Sequence, residues 1–397
     1  MKFKRVFLIV MDSVGIGAEP DAVAFGDEGT NTWVHTAERC GGLNVPTINS
    51  LGIADLADIR GTSKVAHPNA YVQTLRESSN GKDTLTGHWE MMGILTSAPL
   101  VTFTETGFPY ELIKELEERT GRKCIGNYSE SGTVILQQLG EEQLRTGALI
   151  VYTSADSVLQ IAANTAVIPL EELYRDCEIA REITLRPEWR VGRVIARPYV
   201  GTDKTNFVRT SDRHDYALSP SSPTYLDHLR EHGKKVIAVG KINDIFNGQG
   251  IDETTHITSN HDGMEKTIEI AKRDFGGLCF VNLVDFDALY GHRRNPIGYG
   301  KAIEEFDGQL AQLLPLMRED DLLMITADHG NDPTHAGTDH TRERVPLISY
   351  SKAYKNGRML EERDTFACIG KTIMSNYDIK ENYENLIGST IGELLED

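Results

Sequence analysis

The chain is poor in the features that mark several common protein classes. Its five cysteines (Cys40, Cys124, Cys177, Cys279 and Cys368) are odd in number and scattered over 397 residues. With no close motif spacing among them, a disulfide framework is excluded and a reduced, cytoplasmic setting is expected. Nowhere do about 18 apolar residues run together, the length that a membrane-spanning helix needs. Positive charge is scarce: 41 Lys and Arg against 59 Asp and Glu leave a net charge of −18. That excess repels nucleic acid and anionic membrane, so neither is expected as a partner. Internal repeats and low-complexity tracts are lacking too. Lys2, Lys4 and Arg5 precede a short apolar run, but Asp12 and Val14-Gly15-Ile16-Gly17 follow at once with no small-residue cleavage site. The segment therefore reads as a first β-strand and not as a signal peptide.

What is present is an alternation of apolar runs and helical periodicities. A hydrophobic content of 40% is ample for a packed interior, and a length of 397 residues favours two domains. The run Val6–Met11 ends in Asp12. The run Leu278–Val284 ends in Asp285-Phe286-Asp287, with His292 shortly after. The run Leu322–Thr326 leads into Asp328-His329-Gly330-Asn331 and on to Thr338-Asp339-His340-Thr341-Arg342. A shorter run, Val236–Val239, ends at Gly240-Lys241. Between Gly300 and Met317, Ile303, Phe306, Leu310, Leu313, Leu314 and Met317 share one helical face, with Pro315 near the end. The stretch 99–216 differs in character. It holds amphipathic helices around Tyr110–Arg119 and Leu170–Ile183 and a local excess of arginine from Arg181 to Arg213. It reads as a domain inserted into a core formed by 1–98 and 217–397.

Three apolar strands that each deliver carboxylate or imidazole at their carboxyl end point to the edge where open α/β sheets bind ligands. One Asp after a strand is commonly a cap or turn residue, and a lone His is commonly a hydrogen-bonding one. Together they read as a metal site, and mixed His and Asp ligands suit Zn²⁺ or Mn²⁺ better than Ca²⁺. Asp12, Asp287, His292, Asp328, His329 and His340 would supply two ions with three protein ligands each. Two ions about 4 Å apart clamp the attacking and leaving oxygens of a phosphoryl transfer. His335, Asp332 and Asp339 share the same loop and compete for these roles. A nucleophile is offered by Thr84 or Thr86 in Gly81-Lys82-Asp83-Thr84-Leu85-Thr86-Gly87-His88-Trp89-Glu90. The plainer alternative makes Thr84 a helix cap and Gly87 a helix breaker. Arginines of the insert could grip phosphate in bidentate fashion, although most surface arginines are merely solvated.

At this point a resemblance covers nearly the whole chain. Met11-Asp12-Ser13-Val14-Gly15-Ile16-Gly17, Gly81-Lys82-Asp83-Thr84, Thr86-Gly87-His88-Trp89-Glu90, Asp285-Phe286-Asp287 with Gly291-His292-Arg293-Arg294, and Asp328-His329-Gly330-Asn331-Asp332 resemble prokaryotic phosphopentomutases of the alkaline phosphatase superfamily. The resemblance implies an α/β fold: an alkaline-phosphatase-like core sheet flanked by helices, with an inserted α+β cap domain that would exclude water. It implies two Mn²⁺ per chain, one on Asp12, Asp328 and His329 and the other on Asp287, His292 and His340. Thr84 would carry the phosphoryl group, and Ser154, Asp156, Arg193, Arg209 and Lys241 would hold the sugar phosphate. The implied activity interconverts ribose 1-phosphate and ribose 5-phosphate, and the 2-deoxyribose pair, through a phosphothreonine enzyme and a 1,5-bisphosphate. A sugar bisphosphate (glucose 1,6-bisphosphate or ribose 1,5-bisphosphate) would be the activator. A monomer whose partners are small pentose phosphates, working in nucleoside catabolism, is expected. The rival readings are a metal-dependent phosphohydrolase, a cofactor-independent phosphoglycerate mutase with a serine nucleophile, and a metal-binding protein without catalysis.

Overall fold

A computed structural model describes residues 1–154, 157–381 and 383–396. The chain divides into two units, Met1–Ser97 with Ser219–Asp397, and Ala98–Leu218. In chain order its strands are β1 (Arg5–Met11), β2 (Ala70–Leu75), β3 (Cys124–Ser129), β4 (Leu149–Thr153), β5 (Val158–Asn164), β6 (Arg193–Val200), β7 (Val208–Arg209), β8 (His214–Ala217), β9 (Lys235–Val239), β10 (Glu253–Thr255), β11 (Gly277–Leu283), β12 (Asp321–Thr326) and β13 (Val345–Tyr350). Among the described residues no helix is long and apolar enough to cross a membrane.

The first unit is built on a seven-stranded sheet in the order β10-β9-β11-β1-β12-β13-β2. Strands β10, β9, β11, β1 and β12 run parallel; β13 is antiparallel to β12, and β2 is antiparallel to β13. Two reversals return β2 to the direction of the parallel set. The carboxyl ends of β9, β11, β1, β12 and β2 therefore share one edge. All residues of β1, β11 and β12 are buried, which is why they read as near-continuous apolar runs and not as alternating ones. At the opposite end, the buried Arg5 guanidinium grips Asp321 through both carboxylate oxygens, at 2.7 and 2.5 Å. The long helix of this unit is Pro296–Leu313, and its last turn tightens over Leu314–Leu316 around Pro315. It starts four residues before the position expected from periodicity. Asn295 caps it by accepting from Gly298 N, and Pro296, having no N–H to satisfy, suits the first helical position.

The second unit has its own mixed sheet, β3-β4-β5-β6-β7, with β8 pairing to β6. Helices Tyr110–Thr120 and Leu170–Ile183 cover one face through Leu112, Leu116, Leu173 and Cys177, and Gly132–Thr146 covers part of the other through Ile135 and Leu136. The unit runs through Leu218, past the 216 read from sequence, because β8 pairs with β6 and Leu218 N donates to Gly192 O.

One buried group in this unit sets a pH dependence. Neither carboxyl oxygen of Asp176 has a hydrogen-bond partner among the described residues, and burial, with Glu172 nearby, pushes its pKa from 3.8 to about 6. A raised carboxyl pKa stabilises the fold fully below the unfolded value, and that contribution is lost as pH rises through about 6. Asp176→Asn should therefore gain about 1–3 kcal/mol relative to wild type at pH 8, with little gain at acidic pH. Calorimetry of the two chains across this range checks it; a gain independent of pH would contradict it.

Candidate functional site

The shared sheet edge gathers the site. Beyond β1, Asp12 is fully buried and Ser13 takes a φ of 71°, a left-handed conformation that costs a non-glycine residue energy. The turn brings Ser13 N to Asp328 Oδ1 at 3.0 Å and its hydroxyl to Tyr299 Oη at 2.8 Å. Asp12 Oδ2 accepts from Asn282 Nδ2 at 2.8 Å, whereas Asp12 Oδ1 is buried with no hydrogen-bond partner among the described residues. Beyond β12, Asp328 and His329 are buried as well. His329 Nδ1 donates to Gly330 O at 2.9 Å, which leaves Nε2 as a lone pair. That nitrogen lies 3.6 Å from Asp12 Oδ1 and 3.4 Å from Asp328 Oδ2.

Beyond β11 the chain makes one helical turn of the wide π type, Phe286–Gly291, that turns Asp287 into the site. His292 Nδ1 donates to Thr338 O at 2.6 Å, so its Nε2 is the free ring nitrogen. It sits 3.1 Å from Asp287 Oδ2 and 3.1 Å from His340 Nε2, which is 3.4 Å from Asp287 Oδ1. Asn331 Nδ2 steadies Asp287 Oδ1 at 2.7 Å. Asp12, Asp328 and His329 each place one ligand atom within 4.8 Å of the others, and so do Asp287, His329 and His340. His329 is common to both groups.

The electrostatics ask for cations. Burial pushes the Asp12 carboxyl up, and the Asp328 and Asp287 carboxylates push it further. Burial alone would raise Asp287 too, yet His340 and His292 hold it well below the usual range. Burial opposes the charge on His340, but Asp287 beside it lifts its pKa to about 10. Three buried carboxylates balanced this way, with ring nitrogens turned toward them and two carboxylate oxygens, Asp12 Oδ1 and Asp328 Oδ2, without a hydrogen-bond partner among the described residues, fit divalent cations.

Thr84 enters from the loop after β2. It is the first residue of helix Thr84–Met91, and Asp83, not Thr84, is the cap, accepting from Thr86 N and from the Thr86 hydroxyl. Its hydroxyl, spared capping, lies 3.3 Å from His329 Nε2. Gly87 continues the helix instead of breaking it, and its lack of a side chain is used here: a Cβ on Gly87 would collide with the Asp328 carbonyl, two residues beyond β12. Four residues on from Thr84, on the same helix face, buried His88 places Nδ1 against Thr84 O at 2.9 Å and 3.1 Å from Asp328 Oδ2. The role of His88, and that of Asn282, escaped the sequence reading. A signal existed in each case: His88 has i,i+4 spacing from Thr84, and Asn282 is a polar residue within an apolar strand.

Lys241 follows β9 on the same edge and is close enough to favour the ionised form of Asp12. His335 Nε2 lies 3.7 Å from Asp27 Oδ1, outside both ligand groups. Ser154, Arg193 and Arg209 belong to the second unit. Ser154 follows β4, Arg193 opens β6 and meets Asp215 at 3.4 Å, and Arg209 lies on β7. Asp156 lies outside the described residues. Within the second unit, a cavity of about 520 Å³ is lined by Arg197, Arg209 and Arg213 together with Thr133 and Phe207.

Residues 4–381 match the family described as the metalloenzyme superfamily. A protein named phosphopentomutase from Agathobacter rectalis is 57% identical over 394 residues, 99% of this chain and 100% of that one. Another of that name from Clostridium botulinum is 55% identical over 394 residues, 99% of each chain. The solved structure of the PH0037 protein from Pyrococcus horikoshii shares the fold with a TM-score of 0.51 at 14% identity, covering 96% of this chain and 100% of that one.

Proposed function

The chain belongs to the metalloenzyme superfamily and, within it, to the phosphopentomutases, and from that premise we propose how its own residues work. It is an isomerase that interconverts ribose 1-phosphate and ribose 5-phosphate, and the 2-deoxyribose pair. The observation that carries the mechanism is the Thr84 hydroxyl, free of capping and 3.3 Å from the imidazole common to both candidate metal groups.

In this reading Thr84 rests as a phosphothreonine. The bond between phosphorus and Thr84 Oγ breaks as phosphorus bonds to the free hydroxyl oxygen of a pentose phosphate, and the displaced proton ends on Thr84 Oγ. The 1,5-bisphosphate then returns its other phosphoryl group to Thr84 and leaves as the isomer. Asp12, Asp328 and His329 would hold one Mn²⁺, and Asp287, His292 and His340 the other. Held by those residues, such cations would supply Lewis-acid stabilisation of the negative charge that develops on the transferring phosphoryl group and on Thr84 Oγ. Ser154, Asp156, Arg193, Arg209 and Lys241 would hold the sugar phosphate. The guanidinium-lined cavity supports that role for Arg209, since the planar fork suits a phosphate. Glucose 1,6-bisphosphate or ribose 1,5-bisphosphate would prime a dephosphorylated chain. We further propose a cytoplasmic monomer acting in nucleoside catabolism.

A ³¹P NMR assay tests this. With ribose 1-phosphate, Mn²⁺ and a catalytic amount of glucose 1,6-bisphosphate, the ribose 5-phosphate resonance should grow at the expense of the substrate. Growth of inorganic phosphate instead would identify a hydrolase, and no change with any pentose phosphate would end the reading.

A further inference from the structure

The segment that carries His340 also carries Arg342, and Arg342 reaches the loop that delivers Thr84. Its side chain is almost completely buried. Nη1 donates to Glu77 Oε2 at 2.8 Å, to Ser79 O at 2.9 Å and to Gly81 O at 2.6 Å. Nη2 donates to Glu77 O at 2.8 Å and to Asp21 Oδ2 at 3.0 Å, and Nε donates to Asp21 Oδ1 at 3.1 Å. One guanidinium therefore binds three main-chain carbonyls of the segment 77–81, which ends three residues before Thr84. Only arginine offers five donors in one rigid plane, so lysine cannot reproduce this set.

A second tether runs in parallel. Lys82 Nζ lies 3.0 Å from Asp27 Oδ2 and 3.2 Å from Asp339 Oδ2. Arg342 N donates to the same Asp27 oxygen at 2.8 Å. The ligand His340 is thus bracketed by Asp339 and Arg342, each bound to the loop that leads to the nucleophile. Burial, with Glu90 nearby, pushes the Glu77 carboxyl well up, so Arg342 is also the charge that keeps Glu77 tolerable there.

We propose that Arg342 is a positioning residue for phosphoryl transfer: it fixes the loop Glu77–Lys82 to the His340 segment and so sets the distance between the Thr84 hydroxyl and the metal ligands. The proposal rests on the mutase reading. Displacing a reacting group by about 1 Å costs on the order of 10²-fold in rate. Arg342→Lys, which keeps the charge, should then slow phosphorylation of Thr84 by labelled glucose 1,6-bisphosphate by roughly 10²-fold. Its Mn²⁺ content and its KM for ribose 1-phosphate should stay near those of wild type, and although the buried acceptors left without donors should lower its melting temperature, it should remain folded at the assay temperature. In Arg342→Ala, millimolar guanidinium should restore at least about a tenth of the lost rate, which ammonium or urea at the same concentration should not do.

If Arg342→Ala does not fold, Lys82→Met provides the second reading, with a smaller loss of the same rate expected. A wild-type phosphorylation rate in Arg342→Lys, or a loss fully accounted for by lost metal or by the fraction of chain unfolded at the assay temperature, would overturn the inference. Wild-type chain that never takes label on Thr84 would overturn the mutase reading and this inference with it. A labelled wild type matched by Arg342→Lys would overturn the inference alone.

Discussion

Thr84→Ala is expected to lower mutase activity by at least about 10³-fold, some 4 kcal/mol of transition-state stabilisation, while leaving the fold and metal content in place. Removing the hydroxyl removes the atom that accepts and returns the phosphoryl group, and no neighbour can substitute. The Thr86 hydroxyl is committed to Asp83 at 2.6 Å within the helix cap. Thr86→Ala should therefore act mainly on stability, by about 1 kcal/mol, the usual worth of a cap contact. Because the cap is Asp83 and not Thr84, Thr84→Ala leaves the helix start intact. Mass spectrometry after incubation with glucose 1,6-bisphosphate should place the added phosphate on the peptide containing Thr84. Phosphate found only on Thr86, or wild-type turnover in Thr84→Ala, would count against the whole mechanism.

Asp328→Asn is expected to cost several kcal/mol of transition-state stabilisation, on the order of a cation's Lewis-acid contribution. Asp328 is fully buried, receives Ser13 N on one oxygen, and turns the other toward His329 Nε2 and His88 Nδ1. An amide keeps the volume but withdraws the charge and puts an N–H donor where a cation would sit. Metal removal should show the same dependence on stability. A ligand bound only by the folded chain stabilises it by about 3 kcal/mol at a hundred times its Kd. Chelation should therefore lower the melting temperature of wild type and restored Mn²⁺ should raise it again, with a smaller response in Asp328→Asn. Elemental analysis of wild type saturated with Mn²⁺ should approach two ions per chain; saturation at one would end the two-cation reading.

Much of the site was legible before any coordinates because of how parallel sheets are made. Strands buried on both faces are apolar almost throughout, so Val6–Met11, Leu278–Val284 and Leu322–Thr326 stand out, and the first charged residue after each marks the sheet edge. Strong periodicity likewise placed the helix Leu170–Ile183 with both ends as observed. The fold class and the family follow from the chain as written, and the grouping of Asp12 with Asp328 and His329 comes from the resemblance to that family and not from spacing. Tertiary structure alone decided the rest, because it depends on residues far apart in sequence. That Asp83 and not Thr84 caps the helix turns on where the backbone leaves the extended conformation, at Asp83 with φ −122° and ψ 159°. That the bare Gly87 makes room for the Asp328 carbonyl, 241 residues further on, depends on how the helix packs. That Arg342 reaches back some 260 residues to Ser79 and Gly81 follows from β2 and β13 lying side by side in the sheet. Local pattern reports what a segment buries; which distant segment it is buried against is settled by the packing of the whole sheet.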